Sequence, residues 1–335
     1  MAAVEKSNVK GALLSLGAFS LFATHDVIVK FLGASYETFQ IIFFSVLLSF
    51  PLVVLMLMRD NTKGTLIPVH PWWSAFRTVA AIITGSCAFY AFSVLPLAQT
   101  YAILFSMPLL ITVLAIPLLG EKVGIHRWAA IFVGLTGVIV VLRPGTTELG
   151  LGHAAALTAA VCGALANVIV RKIGQDERSA VLLLYPMMAN FVLMAGLMAI
   201  VYEPMPIQHL GLVGLMASLS FTAGLLVIAA YKAGDAAIVA PMQYSQIIWA
   251  AIFGLYFFQE RTDTLTWVGA SIIIASGIYI ILREALSGRS ASSPVTQSRA
   301  RPETATSPRV GIALMRRATN VEPGYRALAK QRGKD

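Results

Sequence analysis

Apolar runs of roughly 20 residues recur along the whole chain, and the polar gaps between them are short. Ten runs can be marked: 9–33, 36–58, 72–95, 97–119, 126–142, 151–170, 180–201, 210–231, 236–258 and 264–282. Each approaches the ~20 residues an α-helix needs to cross ~30 Å of hydrocarbon. The pattern predicts an all-α membrane protein of ten transmembrane helices, with no room for a soluble domain between spans. The first run is too long for a signal-peptide core and has no convincing small-x-small cleavage site. It is expected to stay attached.

The runs are related to one another. Residues 26–33 read DVIVKFLG and residues 167–174 read NVIVRKIG, and the same register sets Gly11 against Gly152. Residues 121–128 (EKVGIHRW) match 260–267 (ERTDTLTW), so that Glu, a basic residue and Trp recur at equal spacing. Five spans are therefore followed by five related spans. With an odd number per unit, the second unit must enter the membrane upside down. The predicted organisation is a cytoplasmic N-terminus at 1–8, a first five-helix repeat at 9–142, a second, inverted repeat at 151–282 and a tail at 283–335. Inverted repeats are a transporter architecture, with the substrate site near the midplane where the halves meet.

Composition sharpens this reading. Hydrophobic residues make up 57% of the chain and charged residues 12%, against about 25% charged in a soluble domain. The formal net charge is +9, of which the tail alone contributes +7. That tail is rich in Ser, Thr, Pro and Gly and is expected to be disordered, lying beside anionic lipid and not on nucleic acid. With the N-terminus inside, the inner segments hold Lys6, Lys10, Arg59, Lys63, Lys122, Arg127, Arg171, Lys172, Arg178 and Lys232, and the outer loops only Arg143 and Arg261. This bias predicts both termini in the cytoplasm, with the basic tail facing the inner leaflet. Cys87 and Cys162 both fall within spans and read as packing residues.

Several segments resemble the drug/metabolite transporter superfamily and its EamA-type repeats. They are LPLAQTYAILFSMP at 95–108, LLGEK at 118–122, AYKAGDAAIVAPMQYSQIIWA at 230–250, then Phe258, Glu260 and ASGIY at 275–279. The resemblance covers roughly residues 9–283 and implies a small-metabolite carrier working by alternating access. The 230–250 stretch is most similar to a bacterial branch holding riboflavin uptake proteins and S-adenosylmethionine carriers. Riboflavin uptake is the first expectation, and export of amino acids or related metabolites, or S-adenosylmethionine carriage, the alternative. No P-loop occurs, so ATP is not the direct energy source. An enzyme would need paired acids for metal-bound phosphate or a His-Glu-x-x-His motif, and neither is present. No cofactor and no metal are expected. The expected partners are a small-molecule substrate and the lipid bilayer, with a second copy of the chain as a candidate.

Intramembrane ionisable groups are the first candidates for function. Asp26 and Lys30, four apart, share a helix face as an intrahelical ion pair, or Asp26 faces the central cavity as a substrate contact or proton carrier modulated by Lys30. His25 points roughly 100° away from Asp26 on an ideal helix. The second copy holds Asn167 and Arg171 at the matched positions. Arg77 is an interfacial anchor beside Trp72 and Trp73, or an inward-gate or anionic-substrate contact. Span four offers Gln99, Thr100, Tyr101 and Ser106, and span nine Gln243, Tyr244, Ser245, Gln246 and Trp249, with Gln243, Gln246 and Trp249 at helical spacing on one face. Tyr90, Tyr185, Asn190 and Tyr231 could extend the wall. Pro108, Pro117 and Pro241 should bend these helices. Glu121 and Glu260 read as structural, capping the next helix or pairing with Lys122 or Arg261. The candidate substrate contacts are thus Asp26, His25, Tyr101, Gln243, Tyr244, Gln246, Trp249 and Asn167. The candidate gating or coupling groups are Asp26, Lys30 and Arg77. An aromatic, amide-rich wall of this kind suits a planar heterocycle.

Overall fold

The computed structural model describes residues 8–58, 65–121, 123–145, 148–174 and 176–287. The basic tail beyond Ser287, the first seven residues and Lys122 lie outside them. The described residues form helices α1 (Asn8–Gly33), α2 (Thr38–Met58), α3 (Pro71–Val94), α4 (Leu97–Leu104), α5 (Met107–Leu119), α6 (Ile125–Leu142), α7 (Leu151–Ile173), α8 (Ser179–Val201), α9 (Ile207–Ala233), α10 (Ala236–Val239), α11 (Gln246–Phe258) and α12 (Thr264–Ser287). A 3-10 segment, Ala240–Ser245, joins α10 to α11. Eight stretches are long and apolar enough to cross a membrane, counting 97–119 as one, and Thr38–Val54 is a shorter apolar helix. The broken stretch 236–258 completes ten.

Spans four and nine, expected to bend, are in fact interrupted, and at the same place. Leu104 ends α4, Phe105 and Ser106 form a tight turn, and Pro108 stands in the first turn of α5. In the second copy the 3-10 segment holds Pro241 and ends at Ser245, the residue matched to Ser106. Proline lacks an amide donor and cannot continue the hydrogen-bond ladder. Such breaks are tolerated at membrane depth where protein surrounds the backbone. Pro51, Pro117 and Pro186, by contrast, lie inside α2, α5 and α8 without ending them.

The packing repeats with the inversion. The most extensive helix pairs are α1 with α9, α3 with α7, and α6 with α12. The first two are equivalent: span one packs on span eight as span six packs on span three. A Cβ on Gly11 would lie 2.7 Å from Gly234 Cα, and one on the matched Gly152 would lie 2.6 Å from Val94 Cγ2 and 2.9 Å from Leu95 Cγ. In the register of the Glu-basic-Trp match, Leu95 is the counterpart of Gly234. The α6–α12 pair is its own equivalent. A Cβ on Gly137 would sit 2.8 Å from the Gly269 carbonyl oxygen, and the matched contact is Ser276 Oγ donating to the Ala130 carbonyl at 2.8 Å. Phe105 and Tyr244, also matched, touch each other with ring centroids 5.0 Å apart. The pseudo-two-fold axis therefore passes between the two helix breaks.

The absent side chain at Gly11 is what lets α1 approach α9. Gly11→Ala should lower thermal stability by about 1–3 kcal/mol, the usual cost of overpacking. Gly17→Ala on the same helix, where a Cβ meets nothing within 4 Å, should leave it near the parent. Detergent-phase thermal unfolding of the two variants checks this.

Candidate functional site

α1 runs past the break in span four and brings Asp26 against Tyr101. Asp26, His25 and Tyr101 are 0%, 0% and 1% exposed. The Tyr101 hydroxyl donates to Asp26 Oδ2 in a very short hydrogen bond. Asp26 Oδ1 lies 2.8 Å from His25 Nδ1, so with the carboxylate ionised that nitrogen carries the proton. Gln246 Nε2, at the start of α11, donates to the Tyr101 oxygen at 3.2 Å. A chain His25–Asp26–Tyr101–Gln246 thus runs from the first repeat into the second across the break.

Aromatic rings enclose the chain. Phe89 meets His25 edge-on at 6.0 Å, Phe92 meets Tyr101 at 5.1 Å, and Phe105 bridges Tyr101 at 5.7 Å to Tyr244 at 5.0 Å. The Tyr244 hydroxyl presses on Gly277, where any side chain would collide with it. Burying an uncompensated ion is costly, and His25 and Tyr101 supply polar partners to this carboxylate.

The other predicted residues are placed differently. Lys30 does not pair with Asp26. Its Nζ lies 2.6 Å from Glu260 Oε1, donates to the Leu95 carbonyl at 2.5 Å and sits 5.4 Å from the Phe258 ring centroid. The adjacent His25 is Asp26's partner instead: side chains that diverge from an ideal helix can still meet when both bend toward one point. Gln246 is buried, while Gln243 and Trp249 are only half-buried. Gln243 lies in the 3-10 segment, and Trp249 stacks on Phe253 at 5.9 Å in a separate aromatic row. Asn167 occupies the second copy's equivalent of the Asp26 position. Its Nδ2 donates to the Gly163 carbonyl at 2.8 Å and lies 3.9 Å from Met107 Sδ. Arg77 is 4% exposed and is no interfacial anchor. Its Nη1 donates to the Leu182 carbonyl at 2.7 Å and braces α3 against the first turn of α8.

Glu121 and Glu260 pair with neither Lys122 nor Arg261 in the described contacts. Glu121 binds Arg171 and Glu260 binds Lys30, each in the opposite repeat. Glu260 Oε2 also accepts from the Leu97 amide at 3.1 Å. Both glutamates follow a left-handed helix cap, Gly120 at φ 70° and Gln259 at φ 57°. The Glu260 amide then donates to the Gly254 carbonyl at 2.9 Å and ties the turn back to the last helical turns of α11. The sequence signal for these pairs was the matched acid and base in both copies, which demands that they cross over together.

An inverted pair of five-helix repeats, with matched helices broken around a buried polar chain, is a transporter architecture. The EamA-like transporter family model matches residues 9–143 and again 150–283, and the chain belongs to that family. It is 27% identical over 272 residues to an S-adenosylmethionine uptake transporter of Rickettsia bellii, covering 81% of this chain and 92% of that protein. It is 26% identical over 216 residues to a riboflavin transporter of Rhizobium johnstonii (64% and 72% covered) and 24% identical over 277 residues to the pseudopaline exporter CntI of Pseudomonas aeruginosa (81% and 95% covered). A crystal structure 18% identical to this chain shares the fold, with TM-score 0.54 over 84% of this chain and 99% of the other.

The buried bonds of the chain are mutually dependent. Tyr101→Phe removes the hydroxyl that bonds both Asp26 Oδ2 and Gln246 Nε2, at about 1–3 kcal/mol of stability. In an Asp26→Asn background the same substitution should cost measurably less, giving a coupling of about 0.5–3 kcal/mol. A double-mutant cycle on thermal unfolding measures it, and strict additivity would mean that the two side chains do not act together.

Proposed function

We propose that this transporter takes up a small cationic metabolite bearing a planar heterocycle, with S-adenosylmethionine as the lead substrate. The observation that carries the reading is the Asp26 carboxylate, 0% exposed and bounded by Tyr101, Phe89 and the ring row beyond it. A sulfonium or ammonium group would replace the proton or the His25 hydrogen bond as partner of the carboxylate. A heterocycle would stack on the rings, and amides such as Gln246 would bond its edge. The relative from Rickettsia supports the same substrate class. Transport proceeds by alternating access, and a proton taken by Asp26 on the return step would leave in exchange for each cation taken up. The carrier works in a bacterial inner membrane with both termini in the cytoplasm, as the bias of basic loop residues suggests.

Riboflavin uptake is the second reading. It is favoured by the aromatic and amide character of the wall and by the relative from Rhizobium. Riboflavin carries no positive charge, so the two readings assign Asp26 different work. With a cationic substrate Asp26 is a contact. With riboflavin it is a coupling group only.

Uptake into proteoliposomes separates them. Labelled S-adenosylmethionine should accumulate saturably in vesicles that are acid inside, so that protons leave in exchange, and Asp26→Asn should lower that uptake at least about 30-fold, the scale for removing one partner of a buried charge pair. Saturable riboflavin uptake that S-adenosylmethionine does not compete for, with counterflow exchange surviving in Asp26→Asn, would establish the second reading. Uptake of neither compound would overturn both.

A further inference from the structure

We propose that Lys30–Glu260 and Arg171–Glu121 are the two gates of the carrier, matched positioning pairs of which one must break while the other holds. The pairs are images of each other under the inverted repeat. Lys30 and Arg171 close the matched motifs DVIVK and NVIVR, and Glu121 and Glu260 open the matched motifs after spans four and nine. Each pair joins one repeat to the other. Because the repeats are inverted, the pairs stand at opposite ends of the helical bundle.

Both pairs are made in this structure, and Asp26 and Tyr101 between them are sealed. That is the closed conformation. To admit substrate from one side, the contacts joining the repeats at that end must part while those at the other end hold. The pairs are suited to this by their partial exposure. The side chains of Lys30 and Glu260 are 10% and 20% exposed, and those of Arg171 and Glu121 15% and 25%. Pairs that water can reach on parting are cheap to break, unlike fully buried ones.

The Lys30 end has a direct line to the site. Lys30 holds the Leu95 carbonyl and Glu260 holds the Leu97 amide, so the pair clamps the α3–α4 junction, one turn of α4 before Tyr101. Parting the pair frees the start of α4 and, with it, the hydroxyl that binds Asp26. At the opposite end the equivalent junction is held separately. There Asn8 Oδ1 accepts from the Asp235 amide at 2.8 Å. The Lys30 end also carries the Arg143–Asp263 ion pair, whose matched positions, Leu282 and Gly124, are uncharged. The two gates are thus built alike but not equally, with the Lys30 gate the tighter.

Thr100 and Val239 are matched reporters, each 0% exposed and each just inside one gate. Cysteine is placed at one or the other in a background with Cys87 and Cys162 replaced by Ala. The protein is held in nanodiscs, where a water-soluble thiol reagent reaches both faces, and no substrate is added. The outcome is therefore separate from the identity of the substrate. Glu260→Gln should raise Thr100→Cys labelling about fivefold and lower Val239→Cys labelling, and Glu121→Gln should do the reverse. The exchanged pair Lys30→Glu with Glu260→Lys should return both reporters to the parent rates. Lys30→Gln stands in if Glu260→Gln does not fold, and the Glu121 arm is read independently. Unchanged reporters, or both reporters rising together in either variant, would overturn the proposal, since a merely structural brace loosens both ends.

Discussion

A charge within hydrocarbon has to be partnered, and the arrangement of this carrier follows from how that is done with two copies of one unit. Each repeat supplies a base near the end of its first helix and an acid after its fourth span. Neither repeat pairs them internally. Lys30 reaches Glu260 and Arg171 reaches Glu121, so a free repeat would expose two ionised groups that the opposite repeat neutralises. Insertion of one partner's charge without the other costs several kcal/mol. The halves are thereby held together by polar bonds between the repeats and by close glycine contacts between their helices.

The glutamates are aimed by backbone chemistry. Gly120 takes the left-handed cap of α5 without cost, while Gln259 does so at the matched cap of α11 against a penalty of ~1–2 kcal/mol. That conformation persists where the surroundings fix it. The Glu260 amide is bonded to the Gly254 carbonyl, and its side chain is held by Lys30 and the Leu97 amide. Gly254 leaves room for this, since a Cβ there would stand 3.0 Å from Glu260 Oε2.

The hydrophobic pattern made the ten spans and their duplication legible, because span length and repeat register are written residue by residue. Tyr101, Asp26 and Gln246 could be singled out as polar groups that lipid would not accept. What could not be read was which of them meet. The i,i+4 spacing of Asp26 and Lys30 suggested a pair on one helix, but tertiary contacts offered Lys30 a carboxylate and a carbonyl at the membrane end, and Asp26 a phenol deeper in. The breaks at Phe105–Ser106 and Ala240–Ser245 were visible only as prolines, which elsewhere in this chain sit inside unbroken helices. Pro108 and Pro241 differ in lying where the two halves cross.

The frame is symmetric and the chemistry within it is not. In the shared register Asp26, Tyr101 and Gln246 stand against Asn167, Ala240 and Met107. The carboxylate, the phenol and the amide of the polar chain are each replaced, and in the second half Asn167 lies beside the Met107 sulfur. A strictly symmetric carrier would hold two carboxylates near one axis, and like charges in a low dielectric repel strongly. Keeping one avoids that repulsion. The repeated helices supply a nearly symmetric frame, and Asp26 is the carboxylate within it that the second copy does not repeat.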